Sequence, residues 1–464
     1  MKDIKPGVFR AYDIRGLVDK DFDLQWVETL GRAVGTYFLG RGLNRAAVGR
    51  DCRHSSPGYA AAMASGLASC GVDVIILGMV PTPVFYYAVA TLGLGAGVMV
   101  TASHNPPEFN GFKVWAGRTT LHTSEIRRLY DIMASGEFAT GTGLVSEHDI
   151  TPTYVADLAA SEPLSRPLKI VLDGGNGAGG PTCAALLRRA GADVVELFCE
   201  PDGAFPNHHP DPVVEANMGA LMAAVTEHGA DFGVGLDGDG DRIGVVDETG
   251  ALMFGDRLLA IYARDLLKDM PGATVMGEVK CSHLLYRDIA AHGGEPVMGV
   301  TGHSVMKDRM IELDAPLAGE MSGHMFFADR YLGFDDAPYA ALRLAGIVSR
   351  ANRPLSAFLD DWPVTASTPE LRVDCPDAVK FDVVARALDH FRTRYALEPD
   401  VEIIDVDGVR LSLPDGWALL RASNTQPALV LRFEAETFER LKAIRALVEH
   451  PLEHWITEAG PRAS

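Results

Sequence analysis

The chain has 464 residues, 47% hydrophobic and 22% charged, an ordinary globular balance with room for about three domains. Its 62 acidic and 42 basic residues give a net charge of −20, which disfavours non-specific binding to nucleic acid or to an anionic membrane surface. No segment approaches the roughly 18 uncharged apolar residues of a membrane span, no apolar leader follows Met1, and the six cysteines form no Cys-x-x-Cys pair, so they read as reduced core side chains suited to a cytoplasm.

From the N-terminus, residues 46–49, 72–77 and 97–101 read as strands, and 59–70 and 85–94 as helices. Strands alternating with helices predict a mostly parallel α/β sheet. A boundary is expected near residue 150, followed by strands at 168–172, 193–198 and 231–236, a glycine loop at 174–180 and a helix at 183–190. A third cadence starts near Leu252, with strands at 274–277, 295–300 and 315–319 and a helix at 304–311. After Pro363 the texture changes to a helix at 379–395, strands at 401–406, 409–413, 418–422 and 428–435, and a closing helix at 438–449. The expected division is three similar α/β domains with mixed sheets, 1–150, 151–251 and 252–365, and a smaller α+β domain, 366–464.

A polar cluster follows an apolar strand in each of the first three segments: Ser103 after 98–101, Asp237 after 232–236 and Glu320 after 316–318. Ligand clefts in α/β sheets lie beyond the carboxyl ends of strands, so three loops facing one cleft would explain the recurrence.

The sharpest signal is Asp237, Asp239 and Asp241, alternating with glycines and followed by Arg242. Oxygen-only ligands at this spacing suit a hard cation such as Mg²⁺ or Ca²⁺, and the glycines let the side chains converge. An EF-hand would need Gly where Arg242 stands, and would need helices where both flanks read as strands.

Ser103 sits in a Thr/Ser/His/Asn turn ahead of two prolines, with Lys113 downstream; no Gly-x-Ser-x-Gly supports acyl chemistry. A phosphoserine would supply the metal with a further anionic oxygen. Glu320, Ser322 and His324 alternate in a third cluster that suits vicinal sugar hydroxyls. Arg421, Ser423, Asn424 and Thr425 gather one cation and three small polar side chains, a composition suited to phosphate. Gly175-Asn-Gly-Ala-Gly-Gly180 has the formal dinucleotide spacing, but it reads better as a tight βα turn, since no cofactor partner stands elsewhere.

The four clusters, in this order, resemble the α-D-phosphohexomutase family over essentially the whole chain, as do residues 9–16 and 49–56. The resemblance implies four domains around a central active-site cleft, the first three sharing one topology. Ser103 would be a phosphoserine that gives its phosphoryl group to a hexose phosphate, and the hexose 1,6-bisphosphate so formed would serve as intermediate and activator. Mg²⁺ would bind Asp237, Asp239, Asp241 and a phosphoserine oxygen. Glu320 and Ser322 would hold O3 and O4 of the sugar, and Arg421, Ser423, Asn424 and Thr425 the non-reacting phosphate. Arg15, His104, Lys113, Arg242, Lys280, His303 and His324 would surround the transfer site, with Lys113 or His324 carrying protons, and Tyr12 would shape the cleft.

Met321 and Asn424 resemble the phosphomannomutase/phosphoglucomutase branch, where the phosphoglucosamine mutase branch usually has Gln and Gly. Glucose and mannose differ at C2, so a site gripping O3 and O4 would accept both. The resemblance leaves phosphoglucosamine mutase and a non-catalytic metal or sugar-phosphate binder as alternatives. It also implies a monomer or weak homodimer, and a fourth domain that closes and opens during turnover.

Overall fold

The computed structural model describes residues 2–424 and 426–459. Four sheets follow one another along the chain. In the first, Asp73–Met79 pairs with Arg45–Arg50, which pairs with Ala96–Val100, all parallel; Phe109–Ala116 then returns antiparallel. The second repeats this plan with Asp193–Leu197, Lys169–Asp173, Phe232–Leu236 and the antiparallel Ile243–Asp247. The third repeats it with Glu295–Gly299, Thr274–Glu278, Leu317–Gly319 and the antiparallel Met325–Phe327. The sheets are therefore mixed, as expected, and the first three share one topology.

The fourth sheet is antiparallel around Val409–Leu413, Gly416–Ala422 and Ala428–Ala435, with helices Lys380–Arg394 and Phe438–Ala459 packed on it. In every sheet the polar cluster lies on the turn of an antiparallel pair. Ser103 links Ala96–Val100 to Phe109–Ala116, and Asp237–Arg242 links Phe232–Leu236 to Ile243–Asp247. Residues 320–324 link Leu317–Gly319 to Met325–Phe327, and the Arg421 loop joins the last two long strands.

The central strands explain their own composition. Every residue of Ala96–Val100 and of Phe232–Leu236 is buried, so both run apolar without alternation. Helix Gly180–Ala190 stops at Gly191, whose φ of 108° is open to glycine at little cost and whose amide caps Arg188 and Leu187. Residue 151 opens helix Thr151–Ser161, with Pro152 in its first turn, where a missing amide proton costs nothing. The closing helix runs on to Ala459 past the expected end at residue 449, with Pro451 inside it. All six cysteines are free, and no helix among the described residues is long and apolar enough to cross a membrane.

Candidate active site

Ser103 takes a left-handed backbone, φ 51°, which costs a non-glycine residue about 1–3 kcal/mol and so must be held by its surroundings. Its amide donates to Thr101 Oγ1 at 2.9 Å, and its hydroxyl donates to Asp237 Oδ2 at 2.7 Å and lies 3.1 Å from His104 Nδ1. Burial, then the charges of Arg242 and Arg15, hold His104 well below the usual imidazole range, so it is neutral. A Cβ on Gly238 would stand 2.5 Å from the Ser103 carbonyl oxygen; only glycine lets the aspartate loop come this close to the serine loop.

Asp237, Asp239 and Asp241 are fully buried. Thr82 anchors the middle one, its amide donating to the Asp239 carbonyl at 2.8 Å and its hydroxyl to Asp239 Oδ2 at 2.5 Å. Lys113, on the returning strand of the first sheet, donates from Nζ to Asp239 Oδ2 at 2.8 Å and to Asp241 Oδ2 at 2.5 Å. One ammonium faces three carboxylates. Burial and the neighbouring carboxylates push Asp237 and Asp241 upward; burial acts the same way on Asp239, but the Lys113 charge outweighs it and holds that carboxyl below its usual range.

These residues fit a hard divalent cation. One carboxylate oxygen from each aspartate lies within 4.8 Å of the other two. Oδ1 of Asp239 and Oδ1 of Asp241 are buried with no hydrogen-bond partner among the described residues. An orphaned buried carboxylate oxygen is costly, and an all-oxygen cation would satisfy both.

Arg242 Nε donates to His324 Nε2 at 2.9 Å, so that nitrogen accepts and the ring proton belongs on Nδ1. Nδ1 lies 3.0 Å from Asp335 Oδ2. Lys307 donates to Asp335 Oδ1 at 2.9 Å and stands 4.4 Å over the Tyr86 ring. The His303 ring stacks on His324 with centroids 5.4 Å apart, and burial, then Lys307, keeps His303 well below the usual range. Arg15 is carried on Ile14–Leu17 and reaches Asn105 Oδ1 at 2.7 Å.

A second group lies towards the third and fourth sheets. Glu320 accepts the Gly302 amide at 2.9 Å on Oε1 and the Ser322 hydroxyl at 3.0 Å on Oε2. The Tyr12 phenol donates to the Thr301 carbonyl at 2.8 Å and accepts Asn424 Nδ2 at 2.6 Å, so loops beside the first, third and fourth sheets meet at one oxygen. Burial, then Asp407, pushes this phenol up to about 12 and keeps it neutral. Lys280 lies between Glu370, at 3.1 Å, and Glu278, at 3.4 Å. Arg421 is paired through Nε and Nη2 with Asp407 Oδ2, both at 3.0 Å. Ser423 Oγ accepts the Gln426 amide at 3.2 Å, and Thr425 lies outside the described residues.

Four family profiles match the chain in succession. They are described as phosphoglucomutase/phosphomannomutase alpha/beta/alpha domain I over residues 6–140, domain II over 152–250, domain III over 254–365, and the C-terminal domain over 370–450. The chain belongs to the phosphoglucomutase/phosphomannomutase family. It is 44% identical over 446 residues to a phosphomannomutase/phosphoglucomutase of Pseudomonas aeruginosa, covering 96% of this chain and 95% of that one. It is 42% identical over 447 residues to a phosphoglucomutase of Neisseria gonorrhoeae, covering 96% of each. A crystal structure of a phosphoglucomutase/phosphomannomutase family protein from Burkholderia thailandensis superposes with a TM-score of 0.90 at 39% identity, covering 100% of this chain and 99% of that one. As a phosphohexomutase the protein is an intramolecular phosphotransferase.

In this phosphohexomutase, residues outside the four motifs pack against the site. Asp335 and Lys307 support His324 from behind, Glu278 takes the Met321 amide at 3.0 Å and Asp407 neutralises Arg421. Arg53, within the 49–56 stretch, is fully buried under the Ser103 loop. A carboxylate in an apolar stretch, such as Asp335 after Gly333-Phe334, was the available signal, but its partner stands 11 residues earlier in another loop.

Proposed function

We propose that the protein interconverts mannose 6-phosphate with mannose 1-phosphate and glucose 6-phosphate with glucose 1-phosphate, through a phosphorylated Ser103 and a bound hexose 1,6-bisphosphate. The supporting observation is the Ser103 hydroxyl on Asp237 Oδ2 at 2.7 Å, at the edge of a buried carboxylate triad. Asp237, Asp239 and Asp241 would hold Mg²⁺, which when bound neutralises charge as phosphorus–oxygen bonds break. Lys113, already on two of these carboxylates, is placed to steady the same charge. Arg15 and Arg242 line the transfer site beside His104; Lys113 and His324 would be the candidate proton carriers, His324 after its Nε2 lone pair gives up the Arg242 Nε–H it accepts here.

Glu320 and Ser322 would grip O3 and O4, with His303 and Lys280 beside them. Arg421, Ser423, Asn424 and Thr425 would take the non-reacting phosphate, exchanging the Asp407 contact for it. The sugar must bind in two orientations, so both phosphoryl positions pass before Ser103 while the other meets the fourth sheet. The same reading places unit boundaries at residues 150, 251 and 365, makes the bisphosphate the activator, and assigns a cytoplasmic monomer or weak homodimer.

Replacement of Ser103 by Ala is expected to abolish turnover of mannose 1-phosphate and to remove about 80 Da from the intact mass of the phosphorylated protein. Near-normal turnover by S103A would sink the proposal. Glucosamine 6-phosphate compared with mannose 6-phosphate by kcat/KM decides the branch.

A further inference from the structure

Arg53 is fully buried and all five of its guanidinium N–H bonds are used. Nη2 donates to the Ser103 carbonyl at 2.8 Å and the Asn105 carbonyl at 2.6 Å. Nη1 donates to the carbonyls of Pro106 at 2.6 Å and Phe109 at 3.1 Å. Nε donates to Asp51 Oδ2 at 3.0 Å, and Asp51 is fixed in turn by the Arg53 amide and the Ser56 hydroxyl on Oδ1. One side chain thus gathers four carbonyls of the loop that carries Ser103, the residue with the left-handed backbone. The second domain closes over it: a Cβ on Gly203 would lie 2.8 Å from Arg53 Cα, and the Phe205 ring lies 5.1 Å from the guanidinium carbon.

None of these contacts involves the Ser103 side chain, so they are indifferent to whether Ser103 carries a phosphoryl group. We infer that Arg53 is a positioning residue that keeps the Ser103 loop in its reactive shape while the serine is dephosphorylated and the bisphosphate is bound. This rests on the function proposed above. In the return step the phosphorus–oxygen bond to the sugar breaks and one to Ser103 Oγ forms, and the Ser103 hydroxyl proton passes to the departing sugar oxygen. A serine held in place takes the phosphoryl group back before the bisphosphate leaves. Lysine, with three donors from one point, cannot replace five donors in a plane.

The test uses full-length enzyme as wild type, Arg53→Lys and Arg53→Gln. One arm follows amide hydrogen exchange over residues 101–109 with Ser103 dephosphorylated. The other measures glucose 1,6-bisphosphate released per turnover. In wild type the hydrogen-bonded loop amides of Thr101, Ser103, Asn105 and Phe109 are expected to stay protected even without the phosphoryl group. Both variants are expected to exchange the loop about tenfold faster and to lose on the order of a hundredfold in kcat, with KM nearly unchanged. Released bisphosphate per turnover should rise, and added bisphosphate should become necessary for sustained activity. Free exchange in the dephosphorylated wild-type loop would overturn the inference, and needs no variant to fold. So would a variant whose bisphosphate release is unchanged. Wild-type enzyme that turns over no hexose phosphate would instead defeat the proposed function, and the exchange arm would still decide whether Arg53 holds the loop.

Discussion

The first three sheets and the fourth are joined to their neighbours in different ways. A single apolar cluster runs from Ala47 in the first sheet through Leu172 and Leu236 in the second to Phe327 in the third and Leu359 in the short helix after it. The fourth sheet has its own core around Leu420, Phe433 and Ile444, and meets the third through an apolar patch of Val279, Trp417 and Leu419, with Met298 at its edge. Much of that junction is polar. Arg410 donates to the carbonyls of Val279, at 2.5 Å, and Cys281, at 2.7 Å, and Ser282 donates to Glu434 at 2.8 Å. Thr301 donates its amide to Asp407 at 3.0 Å, and Lys280 reaches Glu370. Polar contacts can be exchanged for water at a small net cost each, whereas parting a shared apolar core exposes its whole area. Serine, carboxylate triad and sugar loop are therefore expected to move as one body, with the Arg421 loop on the part able to separate.

This contrast is broken most directly by striking each side where its chemistry lies. Lys113→Met removes the one ammonium on the carboxylate triad and is expected to lower kcat by roughly 10²–10³-fold with a modest change in KM. Steady-state kinetics on glucose 1-phosphate check it; a loss confined to KM would place Lys113 in binding rather than transfer. Arg421→Lys, on the separable side, keeps the charge but loses the planar fork. It is expected to raise KM about 10- to 100-fold, the worth of a charge-assisted contact. Should R421K lose activity in kcat alone, the division between fixed chemistry and mobile holding fails.

How much of this could be read from sequence follows from what a sequence records. The four loops were legible because each packs its polar residues into a few consecutive positions after an apolar strand, and the resemblance rests on those positions. That each loop is the turn of an antiparallel pair was not legible, since strand direction depends on partners far along the chain. Helix Ala337–Arg350 is buried from Ala337 to Ser349, Arg343 included, so its burial follows from the three domains packed around it and not from a solvent-facing polar side. Asp335, Glu278, Asp407 and Arg53 act through residues 10 to 50 or more positions away, or on another sheet, and single-chain spacing carries no trace of such pairs. Of the expected site, Thr425 alone lies outside the described residues.

Arg410 sharpens the comparison at the junction itself. It is fully buried, stacks 3.8 Å from the Trp417 ring and crosses to two carbonyls of the third domain. Arg410→Met keeps the aliphatic stem but orphans both acceptors, and should weaken the junction by about 2 kcal/mol. The first three domains do not rely on this contact, so calorimetry should resolve an earlier transition for residues 366–459 ahead of the main one. A single transition shifted as a whole would show that the fourth domain is no more separable than the others.

The smallest expected effect lies at Glu370. Burial would raise its carboxyl, but Lys280 first and then Arg372 outweigh burial and hold it at about 2, below the ordinary 4.5. A depressed acid stabilises the folded state fully above its unfolded value and loses that contribution as pH falls through the folded one, here between about 4.5 and about 2. The side chain is 29% exposed, so the contribution is expected to stay below about 1 kcal/mol. Glu370→Gln should therefore leave the melting temperature almost unchanged only below about pH 2, lower it slightly at pH 7, and flatten the acid slope of the fourth domain's transition alone. An equal flattening in the transition of the first three domains would mean that the Lys280–Glu370 pair belongs to the shared core and not to the junction.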